Sequence, residues 1–497
     1  MNKTNLSKSS YCSGIQCEKI LWLDKYKPEY AVKEDNKSIF QTGQEVGCLA
    51  KELFGKYENI PYNKDRITMI EQTRKLLENK PNVITEASFS YDNNFCSVDI
   101  LKNDVDGVEI YEVKSSTKVK DIYLDDASYQ YFVLSSLGLN VKKVYIVYIN
   151  NKYILSEQLN IHELFNIEDI TQIAEDKLDE IRNNIDDINH FMDTYEENDE
   201  PDTDLGIKCF DPYDCIYWQY CTKDLPKPNV FDIVRMHKSK KFEKYYENKV
   251  SFKDLQYEDL NPTYLEQIEF ELHDKEPKID KQAIREIIDS LKYPLYFIDY
   301  ETCNPAIPVI EGTRPYQQIP FQYSLHIIKD EESEIEHKEF LAKHDDTELI
   351  RHFGESLIRD MPENGSVIVY NKSFEATRNK EIGEMYPDLK EEMEQINSNM
   401  VDFLVPFKKR KYYTKEMKGS SSIKYVLPAL YPDDPELDYH NLPVVHNGRE
   451  ASDSFLSLKN KTPKEQKKIR EGLLLYCKLD TYAMVKLYDK FLEVLEE

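Results

Sequence analysis

Glycine and tryptophan are scarce, 14 and 2 among 497 residues, and no run reaches the ~18 consecutive apolar residues that a membrane-spanning helix needs. Those shortages exclude glycine-periodic fibrous chains and spanning helices. The first twelve residues are polar and lack the apolar stretch of a secretion signal, so a cytoplasmic setting without a membrane partner is expected. No Cys-x-x-Cys pair occurs among the nine cysteines. An odd number of thiols in a chain of this size makes a disulfide framework a poor expectation, and metal ligation or burial a better one. Cations are also short: 65 Lys and Arg face 92 Asp and Glu, a net charge of -27. Such a field repels polyanions, so any nucleic-acid site must be a local patch.

Apolar residues at 40% and aromatics at 12% suffice for buried cores, and the length corresponds to roughly two to four domains. The periodicity predicts an α/β, multidomain chain. Helical spacing dominates residues 1–60, followed by β-rich runs at Val83–Phe89, Phe95–Leu101, Val108–Val113 and Lys143–Ile149, with a helix over Asp125–Leu137. The expected divisions are 1–225, a helical connector at 226–290, and 291–497. The last part opens on the buried-strand signal Leu295–Ile298, has further strands at Phe321–Ile328 and Ser366–Tyr370, and carries helices at 346–361 and 465–495.

Asp99 ends one alternating run and Glu112-Val-Lys114 the next, so a hairpin brings two carboxylates and an ammonium together. Oxygen ligands for Mg²⁺ or Mn²⁺ beside a cation suit phosphodiester hydrolysis. On the residues alone, a solvated hairpin accounts for the same pattern. Together with Gln130-Tyr131 in the next helix, the trio resembles the PD-(D/E)XK nuclease superfamily in its RecB-like form, over about residues 10–225. The resemblance implies that Asp99 and Glu112 bind metal, that Lys114 is the catalytic lysine and that Gln130 assists. Such proteins usually place a metal-binding His after an early glycine; here Gly43-Gln-Glu-Val-Gly47 has Gly47 there, with Glu45 or Glu86 as substitutes.

Cys209, Cys215 and Cys221 fall within thirteen residues, with Cys17 far upstream. Soft thiolates suit zinc or an iron-sulfur cluster. One distant Cys followed by a late triple resembles the iron-sulfur branch of RecB-like nucleases, which implies a [4Fe-4S] cluster held by these four. Zn²⁺ is the alternative, and Cys12 could replace Cys17.

Asp299 and Glu301 lie at i and i+2 at the end of an apolar strand, and burying both without a cation is costly. Glu375 follows the next strand signal. Tyr476 stands four residues before Asp480 in the closing helix, about one turn, on the same face. Four carboxylates of this kind suit a pair of divalent ions; a Rossmann-like domain with incidental acids is the bland reading. The three motifs resemble the DEDD, or DnaQ-like, exonuclease superfamily of ribonuclease H-like fold in its tyrosine-type variant, over about residues 293–497. That resemblance implies a mixed sheet flanked by helices, metal ligands Asp299, Glu301, Glu375 (where relatives have Asp) and Asp480, a water oriented by Tyr476, and 3′-to-5′ cleavage. Asp402 also fits a position where such proteins carry an acid.

Residues 407–419 hold six cations and one acid among aromatics. Lys408, Lys409, Arg410 and Lys411 are expected to meet phosphates, Tyr412 and Tyr413 to stack on bases, and Lys424 to add a further contact. The order of motifs is also similar to a bacterial family described as a domain of unknown function. The expected activity is thus a metal-dependent nuclease acting on single-stranded DNA or RNA ends. A decayed nucleic-acid-binding or defence scaffold is the alternative.

Overall fold

A computed structural model describes residues 5–32, 37–437 and 439–496. The molecule is α/β and divides into two compact units, residues 1–225 with 306–308, and the remainder of 226–497. Residues 226–290, expected as a connector, fold within the second unit.

The first unit is built on a seven-stranded sheet of β1 (Leu6–Ser7), β2 (Glu58–Asn59), β3 (Val83–Tyr91), β4 (Asn94–Asp104), β5 (Gly107–Lys114), β6 (Val141–Ile149) and β7 (Phe165–Asp169). Strands β2 to β7 lie in chain order, and β1 pairs with β4 off that path. β3, β4 and β5 form an antiparallel meander, whereas β5 and β6 are parallel. A parallel pair needs a crossover, and helix α2 (Asp121–Ser136) supplies it between them. β4 changes partner along its length: Asn94 and Phe95 pair with β1, and Ile100 to Asp104 pair with β5. Asp99 lies at that change. Helix α1 (Lys8–Gln16) starts directly after β1, capped by Ser7, whose hydroxyl accepts the Ser10 amide.

The second unit contains a five-stranded mixed sheet in the order β11-β10-β9-β12-β13. Its strands are β9 (Leu295–Cys303), β10 (Ile319–Ile328), β11 (Glu336–Leu341), β12 (Ser366–Val369) and β13 (Met400–Asp402). β10 runs antiparallel to both neighbours, while β9, β12 and β13 are mutually parallel. Every residue of β10 is buried, the mark of a strand covered on both faces. Around the sheet lie α3 (Leu349–Asp360), α4 (Lys372–Met385), α5 (Ile423–Leu430), α6 (Gly448–Ser457) and α7 (Pro463–Glu496). α7 opens on a capping box: the Glu465 amide donates to the Thr462 hydroxyl (3.4 Å), and the Glu465 carboxylate accepts the Thr462 amide (2.9 Å). A short ladder, β8 (Lys278–Ile279) with β14 (Tyr412–Tyr413), ties the first part of this unit to its later loops.

Candidate functional site

β9 and α7 build the acidic centre of the second unit. Asp299 and Glu301 pair with Ser324 and Gln322 of β10, which puts both carboxylates on one face. α7 is locked against β10 by buried hydrogen bonds: Gln322 Nε2 donates to the Leu473 carbonyl (2.8 Å), and Thr481 Oγ1 lies 2.8 Å from both Ser324 Oγ and His326 Nδ1. Burial drives the His326 imidazole down to about 3, so it stays neutral in this network.

The outcome is a cluster in which Asp299, Glu301 and Asp480 each offer an oxygen, all within 4.8 Å of one another. Among the described residues, none of the three forms an ion pair. Burial pushes Asp299 and Glu301 well above the usual carboxylate range, and Asp480 adds repulsion to both. Asp480 itself is pushed up to about 6 by burial, held from going further by Tyr439, Lys424 and Tyr476. Glu375 lies outside the tight trio, only 2% exposed, with Oε2 lacking any hydrogen-bond partner. Burial first, and then Asp402, take it to about 8. Unpaired buried anions and an orphaned carboxylate oxygen fit a divalent cation.

Two neighbours complete this centre. Tyr439, which no local pattern marked, donates its hydroxyl to Asp480 Oδ1 at 2.6 Å. Lys424 lies over the rings of Tyr439 (5.2 Å) and Tyr476 (5.3 Å) and donates to the His446 carbonyl (2.8 Å). Lys424 therefore belongs with the carboxylates and not with the lysine run at 408–411. Burial, then Asp480 and the other acids, hold the Tyr476 phenol protonated far above its usual range. Asp402 has a backbone role: its carboxylate accepts the amides of Asn371 (3.0 Å), Lys372 (3.2 Å) and Leu404 (2.9 Å), fixing the start of α4 and so the position of Glu375.

The first unit brings Asp99, Glu112, Lys114 and Gln130 together, but in a different electrostatic state. Glu112 Oε1 accepts from both Lys8 Nζ and Lys114 Nζ at 2.7 Å, and Oε2 accepts from Gln130 Nε2 at 2.7 Å. Asp99 Oδ2 accepts the Val113 amide at 2.7 Å. Lys114 also pairs with Asp126, and Lys8 Nζ lies 3.6 Å from Asp126 Oδ1. Burial acts to raise Glu112, but the two ammonium groups outweigh it and hold the carboxyl far below its usual range. Burial and the Glu112 charge take Asp99 up to about 7.

Of the pair expected to bind metal, Glu112 thus holds two ammonium groups and Asp99 a backbone amide. Three of the roughly four lone-pair directions of Glu112 are in use, so the residues do not fit a divalent ion without displacement of Lys8. Of the suggested substitutes for the missing His, Glu45 is exposed, and Glu86 pairs with Lys51 (2.8 Å) while its charge also raises Asp99. Lys8 has no local signal because its partner Glu112 is 104 residues away, and Asp126 meets Lys114, 12 residues before it, only through the fold of the crossover helix.

Cys17, Cys209, Cys215 and Cys221 gather at one place. Burial raises the thiols of Cys209, Cys215 and Cys221, and each is raised further by neighbouring members of the set, Cys17 in every case. Cys12 has Asp126, Lys114 and Lys8 as its neighbours and lies with the acidic cluster instead. No three thiols among the described residues have sulfurs within 4.8 Å of one another.

The aromatic-basic run is corrected in part. Tyr412 and Tyr413 are buried in β14, and the Tyr413 hydroxyl accepts the Gly419 amide (3.0 Å), so neither ring is open to a base. Arg410 is buried as well, stacked on Tyr413. Lys411 pairs with Asp280 (2.8 Å), and Lys408 and Lys409 remain exposed. No helix among the described residues is long and apolar enough to cross a membrane.

Residues 296–422 match a family model described as "Domain of unknown function (DUF2779)". That span runs from the strand bearing Asp299 and Glu301 to just before Lys424, and stops short of Asp480. An uncharacterized protein of Ureaplasma parvum is 30% identical over 251 residues, 47% of this chain and 36% of its own length. An uncharacterized protein of Mycoplasma genitalium is 27% identical over 219 residues, 40% of this chain and 32% of its own. The chain thus spans about a third of these curated relatives. No solved structure matches it. What the matches support is kinship with a family of unknown function.

Proposed function

We propose that the protein is a divalent-metal-dependent nuclease whose second unit removes nucleotides from the 3′ end of single-stranded DNA or RNA. The observation that carries the reading is the convergence of half-buried Asp299 with buried Glu301 and Asp480, without ion-pair partners among the described residues. The resemblance to DnaQ-like exonucleases, the mixed five-stranded sheet and the tyrosine one turn before Asp480 support it. Mg²⁺ or Mn²⁺ held by these carboxylates, with Glu375 beside them, would activate a water and offset charge on the phosphate.

The remaining tasks fall to the chain. Tyr439 fixes one oxygen of Asp480. Tyr476 stays protonated, so it orients water as a hydrogen-bonding group and does not act as a base. Lys424 places positive charge at the edge of the acidic cluster, where a phosphate arrives. The first unit is assigned a supporting role, with Lys8 as the cation between its acids and a [4Fe-4S] cluster on its four gathered cysteines. Degradation of 5′-labelled single-stranded DNA and RNA in Mn²⁺ tests the reading. A ladder shortening from the 3′ end, abolished by Asp480→Asn, is expected. No cleavage by the wild type would favour the scaffold alternative, and equal cleavage by both proteins would move the chemistry elsewhere.

A further inference from the structure

Beside the ladder of β8 and β14 lies a pocket of about 190 Å³ in the second unit, lined by Arg235, Thr263, Tyr264, Lys408, Arg410 and Ser421 among others. It is smaller than the about 300–1,000 Å³ typical of sites for whole organic ligands, so it admits a compact group and not a nucleotide. Its walls are cationic in a chain of net charge -27. Arg235 donates to Ser421 Oγ (2.8 Å) and, like Lys408, has no carboxylate partner among the described residues.

Arg410 is the unusual member. It is 8% exposed, gives Nη2 to the Gly419 carbonyl (2.7 Å), and leaves Nη1 buried with no acceptor. The nearest acid, Glu266, is 3.9 Å from Nε and is shared with Lys278. Burial lowers the Arg410 pKa, and Arg235 adds repulsion. Both arginines also hold left-handed backbone angles, φ 63° and 54°, a region uncommon outside glycine that persists only where surrounding structure imposes it. A buried donor without a partner costs about 1–3 kcal/mol, and the repulsion between the two arginines lining one pocket is offset when an anion enters it.

We propose that this pocket is a phosphate-binding subsite for the nucleic-acid strand, with Arg235, Arg410 and Lys408 as the charged contacts and Ser421 as a hydroxyl contact. The assignment rests on the nuclease reading and extends it. Ser421 at the pocket and Lys424 at the carboxylates are three residues apart at the start of α5, so a strand with one phosphate at the acidic centre has a neighbouring phosphate within reach of the pocket. The contact is to backbone and carries no base specificity.

Binding of a fluorescein-labelled thymidine 20-mer to the full chain, followed by anisotropy in EDTA across a salt series, tests the subsite without cleavage. Arg235→Gln, at an exposed position, is expected to weaken binding several-fold and to reduce the slope of log affinity against log salt by about 0.7, the loss of one phosphate contact on a single strand. Arg410→Lys is expected to weaken it as well. Lys380→Gln, on an exposed lysine that does not line the pocket, should leave the slope unchanged. Wild-type slope and affinity in both arginine variants, or no binding by the wild type, overturns the subsite. Arginine-dependent binding by a protein that never cuts in Mn²⁺ would retain the subsite and remove the nuclease reading.

Discussion

Asp480 at about 6 and Glu375 at about 8 carry protons in the folded chain at pH values where the unfolded chain, with Asp near 3.9 and Glu near 4.3, has released them. The folded state then binds more protons than the unfolded one between about pH 4 and 8, so stability falls as pH rises through that window. Thermal unfolding in EDTA is expected several degrees lower at pH 8.5 than at pH 6, with Mn²⁺ restoring most of the loss at pH 8.5 and Asp480→Asn flattening the slope. A melting temperature indifferent to pH and metal would contradict the buried, unpaired state of these acids. In the first unit the sign is reversed for Glu112, whose lowered pKa stabilises the fold fully above about pH 4 and progressively less as pH falls toward the lowered pKa. Lys8→Ala should leave Lys114 as the one ammonium on Glu112 Oε1 and add a Mn²⁺ site, counted by electron paramagnetic resonance; an unchanged count would mean that Lys8 does not hold the cation position. Asp299, Glu301 and Asp480 were legible because each sits in a local pattern, a strand end or a helical turn. Tyr439 and Lys8 were not, since only tertiary structure brings them to their partners. Tyr412 and Tyr413 were misread because an aromatic beside lysines looks the same whether it faces solvent or lies in a ladder.

Elements decide whether those residues meet. The β-rich runs at 83–149 and the apolar strand at 295 were legible from alternation and continuous burial, and they correspond to β3–β6 and β9. β1, two residues long, has no readable signal, yet its pairing with β4 carries Lys8 to Glu112. α7 presents Asp480 to β9, and Gly472, two turns earlier, lets the helix approach the segment before α6: a Cβ there would lie 2.6 Å from Val444 Cβ. That segment also provides the His446 carbonyl that holds Lys424. Gly472→Ala is therefore expected to destabilise by about 1–3 kcal/mol in urea unfolding and to lower cleavage with it. Unaltered stability would show that the segment yields freely and does not position Lys424.

At the scale of the whole molecule, residues 226–290 cluster with the second unit through contacts distant in sequence, the pairing of β8 with β14 and the burial of Phe270 and Ile284 in its core among them, and no local pattern shows these. The two units make separable claims. Cys215→Ser should remove the near-400 nm absorbance expected of a [4Fe-4S] protein and weaken the first unit, while Mn²⁺-dependent cleavage by the second persists; stoichiometric zinc in colourless wild-type protein would replace the cluster with the metal alternative. On the proposed function, divalent cations bind at the carboxylate centre of the second unit. Calorimetric titration of Mn²⁺ into the full chain at pH 8 tests it most directly. Binding lost in Asp480→Asn and kept in Glu112→Gln is the expected result; binding kept in Asp480→Asn and lost in Glu112→Gln would place the cation in the first unit instead.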